Sequence, residues 1–152
     1  MTTQLFREVA DNTTLWVSIL SFAVAQLIKI FIDLGKKRKI DFSLLISSGG
    51  MPSSHSAFVC AMTTAIGFRE GFDSSLFAVS AIISMVVMYD AAGVRRAAGT
   101  QAAILNRIME NAENLGFSLD KKLKELLGHT PIQVACGAAL GIFLACVFSR
   151  NL

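Results

Sequence analysis

The chain has 152 residues, of which 53% are hydrophobic and only 16% charged, where a soluble domain carries about 25% charged residues. The formal net charge is +3, too small a basic excess to mark a nucleic-acid-binding protein. These values exclude an ordinary soluble domain, and the length accommodates one domain over residues 1–152.

The segment ahead of Leu15 is polar and contains Glu8 and Asp11. It lacks the basic start and short apolar core of a cleavable signal, so the first apolar block is expected to persist as an anchor. A spanning helix needs about 20 mostly apolar residues. Residues 14–34 supply one, interrupted late by Gln26, Lys29 and Asp33, then broken at Gly35 and followed by Lys36, Lys37, Arg38 and Lys39. Residues 52–68 form the second expected span. Pro52 suits a first helical position, where its missing N–H would be unpaired anyway. The Ser, Thr and Ala content of this segment suits a helix packed among others rather than against lipid.

A turn at 69–73 leads to a third span at 74–92, ending in Tyr89 and Asp90. The longest polar stretch, 93–128, has Ala, Leu, Ile and Met at helical spacing. That spacing predicts an amphipathic helix over 97–114 and a short helix over 119–127, stopped by Gly128. Thr130 and Pro131 read as an N-cap and a first-turn proline that open a fourth span at 131–148. The predicted fold is all-α: a polytopic membrane bundle of about four transmembrane helices plus an interfacial amphipathic segment. Cys60, Cys136 and Cys146 lie inside apolar stretches without metal-ligand spacing. They read as packing residues, and neither a metal nor a cofactor is expected.

Four spans place the loops at 35–51 and 93–130 on one side. That side holds Lys36, Lys37, Arg38, Lys39, Arg95, Arg96, Arg107, Lys121, Lys122 and Lys124, and the other holds Arg7, Arg69 and Arg150. Positive residues in short loops favour the cytoplasm. Both termini are therefore expected outside, with both basic loops in the cytoplasm. A reporter fused into the 93–130 loop tests this, and an external signal there would overturn it.

Three polar clusters stand at span ends on the expected cytoplasmic side. The first is Gly49-Gly50-Met51-Pro52-Ser53-Ser54-His55-Ser56. Its glycines allow a sharp turn and close approach to a ligand. The following helix start offers free N–H groups and a positive dipole end to an anion. Ser53 and Ser54 add donors, and His55 adds a group that titrates near neutrality. An ordinary capped helix with a stray histidine explains the same residues equally well. The second cluster, Asp90 to Arg96, supplies charge. Arg95 and Arg96 suit bidentate phosphate binding, against the alternative of contact with anionic lipid. Asp90, a carboxylate at membrane depth, would orient a histidine or pair with an arginine. The third, Glu125-Leu126-Leu127-Gly128-His129-Thr130-Pro131, sets His129 just ahead of another helix start. Lys29 lies about one turn inside the first span. Snorkelling to the interface and an i+4 pair with Asp33 are its ordinary explanations.

Together, Gly-Gly-Met-Pro-Ser-Ser-His-Ser-Ala, Asp-Ala-Ala-Gly-Val-Arg-Arg and Glu-Leu-Leu-Gly-His-Thr-Pro resemble the divergent branch of the type-2 phosphatidic acid phosphatase and vanadium haloperoxidase superfamily. The resemblance runs from about Leu15 to Leu144. It implies a metal-independent phosphatase in which one histidine forms a phosphohistidine and another protonates the leaving alcohol. Carried onto this chain, His55 would be the general acid, with Pro52, Ser53 and Ser54 completing its motif, and His129 the nucleophile. Arg95 or Arg96, Lys29, Lys36, Ser53, Ser54 and Gly50 would hold the phosphate. The chain departs from the family pattern: no proline follows Lys36 in the first motif, and the arginine expected shortly before the nucleophilic histidine is absent, Arg95 and Arg96 lying far upstream in another loop. Ser54 replaces a glycine, Lys36 replaces an arginine, and Gln133 stands where the aspartate that orients the nucleophile is expected. Asp90 or Glu125 would then have to orient His129.

The resemblance implies an integral-membrane lipid phosphatase acting on a lipid phosphomonoester or pyrophosphate, and the placement of the three clusters sets the expected site at the cytoplasmic face, in a bacterial plasma membrane, unlike many relatives whose sites face away from the cytoplasm. A non-catalytic phospholipid- or phosphate-binding membrane protein is the alternative, and a small transporter subunit a third reading. A membrane lipid phosphate and the bilayer itself are the expected partners. Four short spans offer little interior surface, which leaves a homodimer open.

Overall fold

The computed structural model describes residues 2–37, 50–113, 123 and 128–149. Among them are six helices and no strand: α1 (Thr2–Ala10), α2 (Thr13–Lys37), α3 (Ser54–Glu70), α4 (Ser75–Ala92), α5 (Val94–Glu113) and α6 (Pro131–Ser149). The short helix expected over 119–127 and the Glu125 carboxylate lie outside the described residues, as do the side chains of Lys36 and Arg95.

The all-α expectation holds. Three stretches are long and apolar enough to cross a membrane: Thr13–Gly35 in α2, Ser75–Asn111 containing α4, and Pro131–Ser149 forming α6. The remaining expected span corresponds to α3, which is only 17 residues long. It is the central helix, packed against α6, α2 and α4. Its buried residues include Ser54, Ser56, Ala57, Ala61, Ala65 and Gly67. Small side chains let neighbouring backbones approach closely, and α6 uses this directly. A β-carbon at Gly137 would collide with the Ser53 carbonyl, and one at Gly141 with the Ala57 carbonyl. Either collision forces the two helices apart, the kind of overpacking that costs about 1–3 kcal/mol or more.

Hydroxyls join α3 to α4. Thr63 Oγ1 meets Ser84 Oγ at 2.7 Å and donates to the Ser80 carbonyl at 3.1 Å. Ser84 Oγ donates to the Val59 carbonyl at 3.0 Å. With no water in a bilayer core, such buried groups must find partners inside the protein. The apolar core is thin: Val17 of α2, Ala61 of α3 and Ala145 of α6 meet at its centre. The large apolar side chains point outward instead, among them Phe31, Ile82, Met85, Val86 and Phe143. This inversion suits a chain whose surroundings are hydrocarbon.

Two helix starts differ from expectation. Pro52 is not the first helical residue: Ser53 is the N-cap, its side chain accepting from the Ser56 N–H, and α3 begins at Ser54. The polar N-terminal segment forms α1, which the composition of that segment concealed. The amphipathic helix expected over 97–114 is α5, beginning three residues earlier at Val94.

Candidate active site around His129

Backbone hydrogen bonds join the three polar clusters. The Ser53 N–H donates to the Gln133 carbonyl at 3.0 Å, and the His129 N–H donates to the Ala91 carbonyl at 2.9 Å. The start of α3, the end of α4 and the start of α6 therefore meet at one end of the bundle. The convergence expected from topology is met by direct contact.

His129 is 2% exposed, and its ring orientation follows from the start of α6. Thr130 Oγ1 accepts from the Gln133 N–H at 3.3 Å, and Gln133 Oε1 accepts from the Thr130 N–H at 3.0 Å. This reciprocal pair is a capping box. The same Oε1 lies 3.2 Å from His129 Nδ1. Because Oε1 already accepts from a backbone N–H, it must be the carbonyl oxygen, since a flipped amide would set two donors against each other. Nδ1 must then carry the proton, and the lone pair of the neutral ring falls on Nε2. Nε2 is buried with no hydrogen-bond partner. Burial is the main cause holding the imidazole below the ordinary histidine range. The Gln133 hydrogen bond pushes it up, the Lys29 and His55 charges push it down, and the nearby Gly50 backbone pushes it up. Desolvation wins because a neutral amide offers the imidazolium no charge to pair with.

Lys29 reaches the same place from α2. It is 3% exposed, which removes snorkelling as its explanation. Its Nζ is buried without a hydrogen-bond partner. Gly50 makes room for its stem: a β-carbon there would sit 3.0 Å from Lys29 Cγ and Cδ, and its φ of +95° disfavours any other residue. A buried amino group and a buried imidazole nitrogen, both lacking partners, are costly in a folded protein. A ligand that supplied acceptors to the amino group and an electrophile or donor to the imidazole would relieve both.

His55 is half-buried in the first turn of α3. Its ring stands edge-on to Phe22 of α2, with centroids 6.4 Å apart. Ser53 and Ser54 are buried at the same helix start. The Ser53 oxygen accepts from Ser56 N at 3.4 Å and from Ser56 Oγ at 3.0 Å. Its acceptor capacity is spent on the cap, which leaves only its own proton for a ligand.

The structure thus assembles His129, His55, Lys29, Gly50, Ser53 and Ser54. Asp90 is half-buried near the end of α4, but the atom on His129 Nδ1 belongs to Gln133. Arg96 is exposed at the start of α5. Sequence reading treated Gln133 as a mismatch, although Thr130-Pro131-Ile132-Gln133 carries the capping-box signature that gives its position. It also passed over Asn106, which is 4% exposed. The Asn106 amide donates to the Leu123 carbonyl and accepts from the Leu123 N–H, both at 2.8 Å. That pair ties α5 to the chain leading into His129.

A family model described as the Divergent PAP2 family matches residues 10–144. The chain belongs to this family. Within the Divergent PAP2 family it is similar to the Uncharacterized membrane protein YuiD of Bacillus subtilis (strain 168). The two are 45% identical over 153 residues, covering 93% of this chain and 97% of the relative. No solved structure gives a significant match. With three stretches fit to cross a bilayer and a membrane protein as its relative, the chain is an integral membrane protein of the PAP2 type.

Proposed function

We propose that this protein is a metal-independent lipid phosphatase whose nucleophile is His129. The observation that carries the reading is the state of the His129 ring. Nδ1–H is held by Gln133, while Nε2 and the Lys29 amino group are both buried without partners and the lysine charge acts on the ring. An arriving phosphate would give Lys29 Nζ the acceptors it lacks and set phosphorus before Nε2.

In the proposed reaction, Nε2 attacks phosphorus and the bond to the leaving alcohol breaks as the P–N bond forms. His55, protonated, gives its proton to the departing oxygen. Water then attacks the phosphohistidine, His55 takes the water's proton, and inorganic phosphate leaves with Nε2 restored. Lys29, the Ser54 hydroxyl, the Ser53 proton and one of Arg95 and Arg96 would neutralise the equatorial oxygens, where most catalysis of phosphoryl transfer resides. Gln133 orients the nucleophile, in place of Asp90 or Glu125.

A lipid substrate fits the site's position. It lies at the end of membrane-spanning helices, beside α5. That helix carries exposed Ile104, Leu105 and Ile108 and suits the headgroup boundary. The excess of basic residues in the loops at that end supports a cytoplasmic site under the positive-inside rule. Phosphatidate, phosphatidylglycerol phosphate and polyprenyl phosphates are the candidate substrates.

The test is phosphate release by purified protein in detergent from a panel of these lipids, with and without EDTA. Release that survives EDTA supports the proposal and names the substrate. No release from any lipid, with vanadate still protecting the protein against heat, would favour a phosphate-binding membrane protein without turnover.

A further inference from the structure

Helix α1 lies at the start of α2, away from His129, and packs closely against no other described helix. Every described side chain from residue 3 to residue 11 is exposed. At 100° per residue, Leu5, Phe6 and Val9 fall on one side of the helix and Gln4, Arg7 and Glu8 on the other. Leu5 is 61% and Phe6 75% exposed. A nine-residue helix is too short to be stable alone in water, and this one leaves its apolar side uncovered.

The junction ties α1 to the start of α2. The link is hydrogen-bonded throughout, with Asp11 N donating to Arg7 O, Asn12 N to Val9 O and Thr13 N to Asp11 O. Asn12 Oδ1 accepts from the Leu15 N–H at 3.0 Å. The Trp16 indole N–H reaches back to the Ala10 carbonyl at 3.0 Å and the Val9 carbonyl at 3.2 Å. Helix α1 is therefore held to the first turn of a helix long and apolar enough to cross a membrane. Leu15, Trp16 and Ile19 at the start of α2 are likewise exposed apolar side chains, and Trp16 is the one bonded to the end of α1. Indoles favour the boundary between headgroups and acyl chains.

We propose that α1 is a membrane-surface helix whose Leu5, Phe6 and Val9 side inserts into the headgroup boundary at the end of the bundle away from His129. Three side chains on nine residues fall short of the roughly 800 Å² per partner that a stable protein interface needs, which argues against a second copy as the occupant. They suffice for a lipid surface because the tether to α2 keeps the helix at the bilayer. Arg7 and Glu8 cancel in charge, so the association does not require anionic lipid.

The test places a nitroxide residue, genetically encoded so that the native cysteines stay in place, at residues 4, 5, 6, 8 and 9 in turn. The full chain is reconstituted in phosphatidylcholine vesicles. Collision with oxygen reports lipid, and collision with a soluble nickel complex reports water. High oxygen access at 5, 6 and 9 with high nickel access at 4 and 8 supports the proposal. Replacing Phe6 and Val9 together with glutamate should then turn the label at 5 water-accessible. Nickel access at all five positions would overturn the proposal, and so would low access to both with spin–spin broadening between chains.

Discussion

Replacing His129 with alanine is expected to abolish phosphate release whatever the leaving group, while the protein still inserts and folds. The P–N bond cannot form without Nε2, and no other described imidazole is held in the same buried state. His55→Ala should behave differently. General acid catalysis contributes about 10²–10⁴-fold, but only where the departing oxygen needs a proton. The His55 variant should therefore lose most of its rate on a lipid phosphate and much less on an aryl phosphate with a good leaving group. It should also accumulate an alkali-stable, acid-labile phosphoprotein if water activation becomes limiting. Equal losses in both variants on both substrates would remove the division of roles. Wild-type rates in His129→Ala would remove His129 as nucleophile.

The second large effect concerns Gln133. Its Oε1 fixes the His129 tautomer, and its backbone carbonyl receives the Ser53 N–H. Gln133→Leu keeps the backbone contact but removes both the capping box and the ring's partner. The imidazole can then present N–H instead of a lone pair to phosphorus. Loss of a tautomer-holding partner costs about 10⁴ in a serine protease triad, and a fall of about 10²-fold or more is expected here. Gln133→Glu preserves the capping box but adds a carboxylate beside the ring. A neighbouring anion favours the imidazolium, so the His129 pKa rises. Activity that needs the neutral ring should then fail at a higher pH than in wild type, and the acid limb of kcat/KM moves upward. In the wild-type protein, burial lowers the His129 pKa, so that limb is expected below the ordinary histidine range. The same burial makes stability pH-dependent: it is complete above the ordinary histidine value and declines as pH falls toward the lowered folded value. An acid limb unmoved in Gln133→Glu would show that this residue does not govern the ring.

Much of the fold was legible because hydrophobic blocks of near-bilayer length leave few alternatives. The expected third and fourth spans agree with α4 and α6 to within a residue or so. The start of α3 was missed by two residues because proline and serine both signal helix starts, and here the serine caps. Helix α1 was missed because its residues average out as polar, and only their phase separates Phe6 from Arg7. At the site, His129, His55, Lys29 and Gly50 could be named from sequence, since each breaks a local rule. What the sequence hid was a neutral amide, Gln133, against His129 Nδ1, where the family pattern sets a carboxylate. The capping-box signature gives the position of Gln133, but its contact with the ring shows only in the structure.

Helix α3 has a consequence for how the molecule is made. It is short, and it presents Ser, Thr and His where a lone helix would meet hydrocarbon, so a bilayer is a poor host for it by itself. Its residence in the membrane depends on α2 and α4, and finally on Gly137 and Gly141 of α6 seating against its backbone. Helix α6 is the last of these to leave the ribosome. The N–H of Ser53 and the tautomer of His129 both wait for Gln133, at the start of that helix. Synthesis therefore yields a membrane-inserted chain first and an assembled site only at its end.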